Sequence, residues 1–218
     1  MDQPPLKDDA SKAVLENFLR VCSLEISSKQ ITKLLNFCAL ILRWNRVTNL
    51  VQADSVQQLI KSHVIDCLAA AGEICGPNVV DVGSGAGFPG IVFATVLPDW
   101  HFYLVETNQR RARFLTQVKI ELSLDNVTVV NARIEDWVPE TRIDCVTSRA
   151  YSALDLFYKG CRHISVEKNA SNLRFVALKG RVEQAELAAL IGEGIPEKRI
   201  IIKPLQVPDR EHRHVVLF

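Results

Sequence analysis

Glycines are concentrated in one short segment of the chain, residues 81–90, which reads DVGSGAGFPG. A run of β-branched residues precedes the first glycine and Pro89 suits the first turn of a helix, so the segment joins a strand to a helix. Glycines let such a turn bend sharply and let a ligand approach main-chain N–H groups at the helix N-terminus. Four glycines within eight residues exceed what a plain strand-to-helix turn needs. The segment therefore predicts a cofactor-binding turn.

Two cofactors fit this turn. The spacing Gly85-x-Gly87-x-x-Gly90 matches the dinucleotide fingerprint, and Glu106 follows about 20 residues later, where that fingerprint places an acid for the ribose. Alternatively, Gly83-x-Gly85-x-Gly87 starts directly at the strand end, which is typical of class I methyltransferases that bind S-adenosylmethionine. Both cofactors carry a ribose diol, so Glu106 suits either. The position of Gly83 favours S-adenosylmethionine, because a dinucleotide turn needs its first glycine directly after the strand.

Three charged residues belong to the same predicted edge of the sheet, where ligands bind in open α/β folds. Arg149 follows a predicted strand and could clamp a carboxylate bidentately, with a solvated ion pair as the alternative. Glu106 is expected either to accept hydrogen bonds from a hydroxyl pair or to be a solvated strand end. Asp81 is expected to support the glycine turn through backbone N–H groups rather than to touch a substrate.

The elements that must position these residues follow from the periodicity of the apolar residues. Up to about residue 75 the period is helical and predicts three helices, the first from Lys12, the second capped by Ser28 and the third capped by Asp54 or Ser55. After Gly76, short strand-like runs alternate with helices, which is typical of a parallel sheet covered on both faces. Strands are predicted near residues 79–83, 101–106, 127–131, 143–147, 174–178, 198–203 and 213–217, and helices near 88–97, 109–123, 152–165 and 181–191. No helix separates the last two strands, so a terminal hairpin with one antiparallel strand is expected.

These patterns predict the α/β fold class. The specific expectation is a class I S-adenosylmethionine-dependent methyltransferase fold, Rossmann-like, with a seven-stranded, mostly parallel sheet and an N-terminal helical extension. The extension is assigned residues 1–75 and the methyltransferase domain residues 76–218. The first eleven residues, with two prolines and three acids, are expected to form a loose leader.

Composition excludes several classes of protein. With 218 residues, 48% apolar and 23% charged, the chain resembles a soluble globular protein and not a disordered or collagen-like one. The net charge of +1 means that any basic surface for nucleic acid must be local. No uncharged apolar run is long enough to span a membrane, and acids stand where a signal peptide needs bases. The six cysteines are widely spaced, which favours reduced thiols in a cytoplasmic protein without a metal site.

Several motifs make the chain similar to the bacterial ribosomal RNA small-subunit methyltransferase G family, also called glucose-inhibited division protein B. The likeness begins at about Lys29 and is carried by short blocks in the expected order: WN at 44–45, NL at 49–50, HVIDCL at 63–68, the glycine segment, RRARFL at 110–115, ARIE at 132–135, SRA at 148–150, ALKG at 177–180 and RHVV at 213–216. One departure is Cys67, which stands where a serine is common in such blocks. A chemical role for that serine is therefore not expected.

The resemblance implies methylation of N7 of one guanine in 16S ribosomal RNA, with S-adenosylmethionine as the methyl donor. Carried over by position, Gly83 and Phe88 would line the cofactor turn, and Ile134 and Glu135 would flank the adenine. Glu135 could instead simply begin a short helical turn, since acids favour that position. Arg149 would complete the cofactor site and is the one candidate catalytic residue.

Guanine N7 carries an in-plane lone pair and no proton, so its attack on a sulfonium methyl group needs no general base. Catalysis would then consist mainly of positioning the reactants and stabilising the positive charge that forms on the base. In this setting Arg149 could donate to guanine O6 instead of clamping the cofactor. His63, on an apolar stripe, is expected to be a hydrogen-bonded core or interface residue rather than a substrate contact.

The expected partner is 16S ribosomal RNA or the small ribosomal subunit, bound by a monomer. Phosphate contacts by local basic residues would dominate the affinity and make it depend on salt. The candidates for these contacts are Arg110, Arg111 and Arg113 on one predicted helix, Lys179 after a strand, and Arg46 in the extension. Two alternatives stay open: a methyltransferase of the same fold for another RNA or a small molecule, and a non-catalytic nucleotide-binding regulator.

Overall fold

The protein is described here by a computed structural model that covers residues 8–22, 24–149, 153–164 and 173–218. Its first part is helical: α1 spans Asp9–Val21, α2 Ser28–Asn45, α3 Val56–Leu59 and α4 Ile65–Ala70. A π-helical turn, Ile60–Val64, joins α3 to α4, and a 3-10 turn, Ala71–Glu73, follows α4. The third predicted helix is thus one helical stretch with three geometries.

Hydrogen bonds at their N-termini explain where the helices of the extension begin. At α2 the Ser27 hydroxyl accepts from the N–H of Gln30 at 3.3 Å, and the Gln30 side chain accepts from the N–H of Ser27 at 2.7 Å. The cap is therefore Ser27, and the prediction of Ser28 was wrong by one residue. Asp8 caps α1, so this helix begins at Asp9 instead of Lys12 and enters the predicted leader. Residues 1–7 of that leader lie outside the described residues.

The second part of the chain alternates strands with helices, as predicted. The strands are β1 Asn78–Val82, β2 His101–Val105, β3 Val127–Val130, β4 Cys145–Arg149, β5 Arg174–Lys179, β6 Ile201–Pro204 and β7 His214–Leu217. The helices are α5 Gly90–Val96, α6 Gln109–Glu121, α7 Leu154–Cys161 and α8 Gln184–Gly192. Both ends of the predicted helix 152–165 lie outside the described residues. Ala150 of the SRA block lies outside them too.

The described strands form one seven-stranded sheet in the order β3-β2-β1-β4-β5-β7-β6. The pairs among β1 to β5 are parallel, and β7 runs antiparallel to both β5 and β6. The predicted terminal hairpin and antiparallel strand are therefore confirmed. The order reverses between β1 and β4, and the carboxyl ends of these strands form the edge where ligands bind in such sheets.

Apolar side chains cover both faces of the sheet. Val79 faces a cluster that includes Leu34 and Phe37 of the extension, whereas its neighbour Val80 faces a second cluster with Phe157 and Phe175. This alternation is the two-residue period of a strand buried on both faces. The extension therefore packs directly against one face of the sheet, in a shared apolar core.

Candidate functional site

The glycine turn follows β1 and has the backbone that its sequence predicts. Gly83, Gly85 and Gly87 adopt φ angles of 69°, 56° and 92°, in the left-handed region that other residues rarely enter. The N–H of Gly83 donates to the carbonyl oxygen of Val105 at 2.9 Å, which ties the turn to the end of β2. A Cβ at Gly85 would meet nothing closer than a backbone oxygen at 3.7 Å, so the turn leaves open space beside this residue.

Asp81 supports this turn through a hydrogen bond to the backbone, as expected from the sequence. Its Oδ2 accepts a hydrogen bond from the N–H of Gly90 at 3.0 Å, at the first residue of α5. A Cβ on Gly90 would lie 2.3 Å from the Leu104 side chain and 2.6 Å from Asp81 Oδ2, so only glycine fits there. Burial raises the pKa of Asp81 to about 7. Its Oδ1 has no hydrogen-bond partner in the part of the chain that the structure describes.

Glu106 lies directly after β2 and is only 4% exposed, so the alternative of a solvated strand end is wrong. Oε2 accepts from the N–H of Gly85 at 2.8 Å, and Oε1 accepts from the N–H of Asn108 at 2.8 Å. The sequence did not indicate this bond to Gly85. The result is a carboxylate that is held in place against the glycine turn and has oxygen lone pairs left for hydroxyl donors.

Arg149 is the last residue of β4, because that strand runs two residues further than the predicted 143–147. Its guanidinium hydrogen-bonds to Nδ1 of His63, donates to the carbonyl oxygen of the same residue at 3.3 Å and lies 5.4 Å from the centre of the Phe88 ring. A weaker contact at 3.9 Å joins it to Sγ of Cys67. His63 and Cys67 of the extension therefore fix the side chain of Arg149, the one residue predicted to be catalytic.

His63 is the residue that makes this connection. Its ring stacks on Phe88 with a centroid distance of 5.0 Å and an interplanar angle of 27°. Burial, followed by the positive charges of Arg149, Arg210 and Arg213, lowers the pKa of His63 to about 3. The ring is thus neutral near pH 7 and Nδ1 can accept from the guanidinium. The interface role expected for His63 is what the structure shows, but the contact with Arg149 was missed.

A cleft of about 410 Å³ opens beside Arg149, at the carboxyl ends of β4 and β5 and the start of β7. Its charged and polar lining residues are Asp66, Arg149, Lys179, Arg181, Arg213 and His214. Four of these six residues are cations and one is a carboxylate. Asp66 and Arg213 were not predicted as site residues, although both lie in blocks, HVIDCL and RHVV, that carry the family resemblance.

Ile134 and Glu135 lie in a one-turn 3-10 helix, Ile134–Asp136, after β3. Ile134 is buried in the same apolar cluster as Val82 and Val105, the last residues of β1 and β2. Glu135 is exposed, and its Oε1 lies 3.2 Å from where a Cβ on Gly160 would stand. Glu135 thus lies within a short helical turn, and adenine contacts by these two residues stay a prediction.

The five residues predicted to bind RNA fall into two groups. Arg110 and Arg113 are exposed and Arg111 is half-buried near the N-terminus of α6, and Arg46 is exposed directly after α2. These two regions are adjacent, because Trp44 of α2 and Arg113 line the same recess of about 460 Å³. Lys179 stands apart: it lines the cleft and forms an ion pair with Glu186 of α8.

Neither a metal centre nor a membrane-spanning helix is present among the described residues. Within ranges 8–22, 24–149, 153–164 and 173–218, no group of three or more His, Cys, Asp or Glu side chains is arranged to hold a metal ion. None of the helices in these ranges is long and apolar enough to cross a membrane.

Comparison with solved structures shows which fold this is. A putative O-methyltransferase from Klebsiella pneumoniae superposes with a TM-score of 0.59 at 12% identity, over 96% of this chain and 97% of that one. The METTL16 MTase domain superposes with a TM-score of 0.55 at 16% identity, over 95% and 91% of the two chains. The seven-stranded sheet is thus the class I methyltransferase fold, and the predicted fold class is confirmed.

Comparison of sequences is more specific. The family model for rRNA small subunit methyltransferase G matches residues 30–203. Ribosomal RNA small subunit methyltransferase G of Nitrosomonas eutropha is 40% identical over 187 residues, which cover 85% of this chain and 86% of that relative. The protein of the same name from Herminiimonas arsenicoxydans is 39% identical over 214 residues, 95% and 94% of the two chains. This chain belongs to the rRNA small subunit methyltransferase G family.

Proposed function

We propose that this protein transfers a methyl group from S-adenosylmethionine to N7 of a guanine in 16S ribosomal RNA. The observation that carries the proposal is the family match over residues 30–203, on a chain with the class I methyltransferase fold. The resemblance seen in the sequence motifs supplies the position, N7, and the RNA. The protein is expected to act as a monomer in the cytoplasm.

The residues at the carboxyl edge of the sheet suit S-adenosylmethionine. The backbone at Gly83, Gly85 and Gly87 leaves room for a close approach, and Gly85 in particular borders open space. The buried carboxylate of Glu106 stands beside this turn and can accept hydrogen bonds from the ribose hydroxyls. When bound, the cofactor supplies a methyl group on a positively charged sulfur.

Further contacts are assigned to the residues around this edge. Phe88 would line the cofactor turn, and Ile134 and Glu135 would flank the adenine. Arg149 would bind the carboxylate of the methionine part of the cofactor, because a guanidinium matches a carboxylate bidentately. His63 would hold the guanidinium in place for this contact, since its carbonyl oxygen and its Nδ1 both hydrogen-bond Arg149.

The chemistry asks little of the protein beyond binding and orientation. Guanine N7 has a lone pair and no proton, so no side chain has to remove one. Holding nucleophile and methyl group in line can contribute roughly 7–11 kcal/mol to the lowering of the barrier. Neutral His63 and the buried acids Asp81 and Glu106 would thus serve to shape the site and not to move protons.

The cleft beside Arg149 is the place that we assign to the target nucleotide. It is lined mainly by cations and adjoins the proposed cofactor edge through Arg149 itself. Arg110, Arg111, Arg113 and Arg46 would contact phosphates farther along the RNA. These cations would supply the local basic surface that RNA binding needs on a chain with a net charge of only +1.

A methyl-transfer assay tests the proposal. Small ribosomal subunits from a bacterium that lacks this methylation are incubated with the protein and radiolabelled S-adenosylmethionine, and the rRNA is then mapped for N7-methylguanine. We expect one labelled guanine in 16S rRNA, and loss of the label with Arg149→Ala while thermal unfolding shows a folded protein. Label in another base, label only in small molecules, or no transfer by the wild type would each contradict the proposal.

A further inference from the structure

Asp66 is a buried acid that the proposed chemistry does not use. It lies on α4 between Ile65 and Cys67, is 4% exposed and lines the cleft. A carboxylate is rarely buried unless it is paired, because the loss of its hydration costs several kcal/mol. Its Oδ2 lies 3.1 Å from Nε of Arg213 and 3.7 Å from Nη1 of Arg210.

Arg213, directly before β7, is fixed at two points. Nε donates to Asp66 at 3.1 Å and Nη1 donates to the carbonyl oxygen of His212 at 2.8 Å. Nη2 has no hydrogen-bond partner among the residues that the structure describes, and the side chain, 29% exposed, lines the cleft. The guanidinium is therefore held rigidly while part of its donor set stays available to a ligand.

The chemistry of the cleft indicates an anionic ligand. Arg213 shares the lining with Arg149, Lys179 and Arg181, and the one carboxylate among them, Asp66, is already occupied by arginines. A planar guanidinium with free donors matches the oxygens of a phosphate. A contact with guanine O6 and N7 together is excluded for a productive complex, because N7 must stay free to be methylated.

We propose that Asp66 is a positioning residue that orients Arg213 to bind a backbone phosphate of the RNA next to the target nucleotide. The proposal rests on the function proposed above and adds to it a phosphate contact and the role of a helix in the extension. Asp66 itself does not touch the RNA. It lowers the freedom of the Arg213 side chain, so that less entropy is lost when the phosphate binds.

A double-mutant cycle tests this coupling, with filter binding of 16S rRNA as the readout. We expect Asp66→Asn and Arg213→Ala each to weaken RNA binding about tenfold, and the double variant to bind no worse than Arg213→Ala alone. Arg213→Ala should also reduce the salt dependence by the equivalent of about one neutralised phosphate. Calorimetry should show unchanged affinity for S-adenosylmethionine in every variant.

Glu73→Gln is the matched control, because it too removes an ion pair between the extension and the sheet, at 2.8 Å from Lys203, but outside the cleft. It should bind RNA as the wild type does. The proposal would be overturned if the losses of RNA affinity caused by Asp66→Asn and Arg213→Ala multiplied in the double variant. It would also be overturned if Glu73→Gln weakened RNA binding as much as Asp66→Asn does.

A second variant covers the case in which Asp66→Asn does not fold. Arg213→Lys keeps the charge at this position but loses Nε, so it should bind RNA almost as weakly as Arg213→Ala. Wild-type affinity in Arg213→Lys would show that charge alone matters and would overturn the positioning role. Methyl transfer by the wild type is measured in parallel, so failure of the proposed function is seen separately from failure of this coupling.

Discussion

His63 of the extension stacks on Phe88 of the glycine turn, with ring centroids 5.0 Å apart. Phe88 is packed from another side by Phe37 of α2, at 5.1 Å, so two rings of the extension hold the residue that ends the GAGF sequence of the turn. Offset ring contacts of this kind contribute about 0.5–1.5 kcal/mol each beyond burial. The extension is therefore a structural part of the proposed cofactor site.

Glu106→Gln should weaken binding of S-adenosylmethionine by about 10- to 100-fold, because hydrogen bonds to a charged group contribute about 1.5–3 kcal/mol. The amide keeps the shape of the side chain but loses the charge that ribose hydroxyls would meet. Titration calorimetry measures the change. Glu121→Gln, which breaks an ion pair with Arg43 on the surface, should leave the affinity unchanged, and an equal loss in both variants would remove Glu106 from the cofactor site.

Gly90→Ala should destabilise the fold by more than about 2 kcal/mol, because the new methyl group would overlap Leu104 and Asp81. Chemical denaturation measures the free energy of unfolding. Gly72→Ala is the control: a Cβ there meets nothing within 4 Å and the φ angle is ordinary. Equal stability of the two variants would show that the approach of Gly90 to Asp81 is not as close as described.

The lowered pKa of His63 predicts a loss of stability in acid. Its pKa is lowered to about 3 in the folded protein and is near 6.5 when unfolded, so the unfolded chain binds the additional proton between these values. The contribution of His63 is present above about pH 6.5 and falls as the pH decreases towards 3. Denaturation at pH 7 and pH 5 should show that the wild type loses about 2 kcal/mol more than His63→Gln does. Parallel loss in both proteins would contradict the prediction.

The raised pKa of Asp81 predicts the opposite trend, a loss of stability as the pH increases. Its pKa is raised from 3.8 to about 7, so the folded protein holds a proton that the unfolded chain releases. The contribution of Asp81 is therefore complete below about pH 4 and is lost as the pH rises to about 7. Asp81→Asn keeps an acceptor for the N–H of Gly90 and should gain stability over the wild type at pH 8 but not at pH 4. A constant difference across this range would be the contrary result.

Arg110→Ala and Arg113→Ala should each weaken RNA binding and lower the slope of log K against log salt by about one unit, since each removes a cation that neutralises one phosphate. Both side chains are exposed at the start of α6. Lys12→Ala on α1, which also removes an exposed cation, serves as the control. If the slope in both arginine variants equals that of Lys12→Ala, this face of α6 does not contact the RNA.

Most of the fold was predictable from the sequence, because runs of β-branched residues and apolar residues at helical spacing indicate locally which positions are buried. All seven strands were found, with ends displaced by up to three residues, and the glycine turn has the predicted backbone. The placement of Glu106 and Arg149 was predictable for a related reason: Glu106 directly follows the parallel strand β2 and Arg149 ends the parallel strand β4, so both lie at the carboxyl edge of the sheet.

Contacts between distant parts of the chain were not predictable. Arg149 and His63 are 86 residues apart, and Arg213 and Asp66 are 147 apart. Each pair depends on how the extension packs against the sheet, and no local pattern reports that packing. The cap of α2 was missed for a simpler reason: Ser27 and Ser28 are adjacent and identical in type, and only the bond to Gln30 distinguishes them.

The position of β7 has a consequence for the order in which the protein can fold. β7 is the last described strand in the chain, yet it lies inside the sheet and supplies all the described pairing of β6. During synthesis β5 has no neighbour on that side, and β6 none at all, until residues 214–217 have emerged. The sheet is therefore completed only after residues 214–217 have been synthesised, and Arg213 and His214 reach the cleft at that same stage.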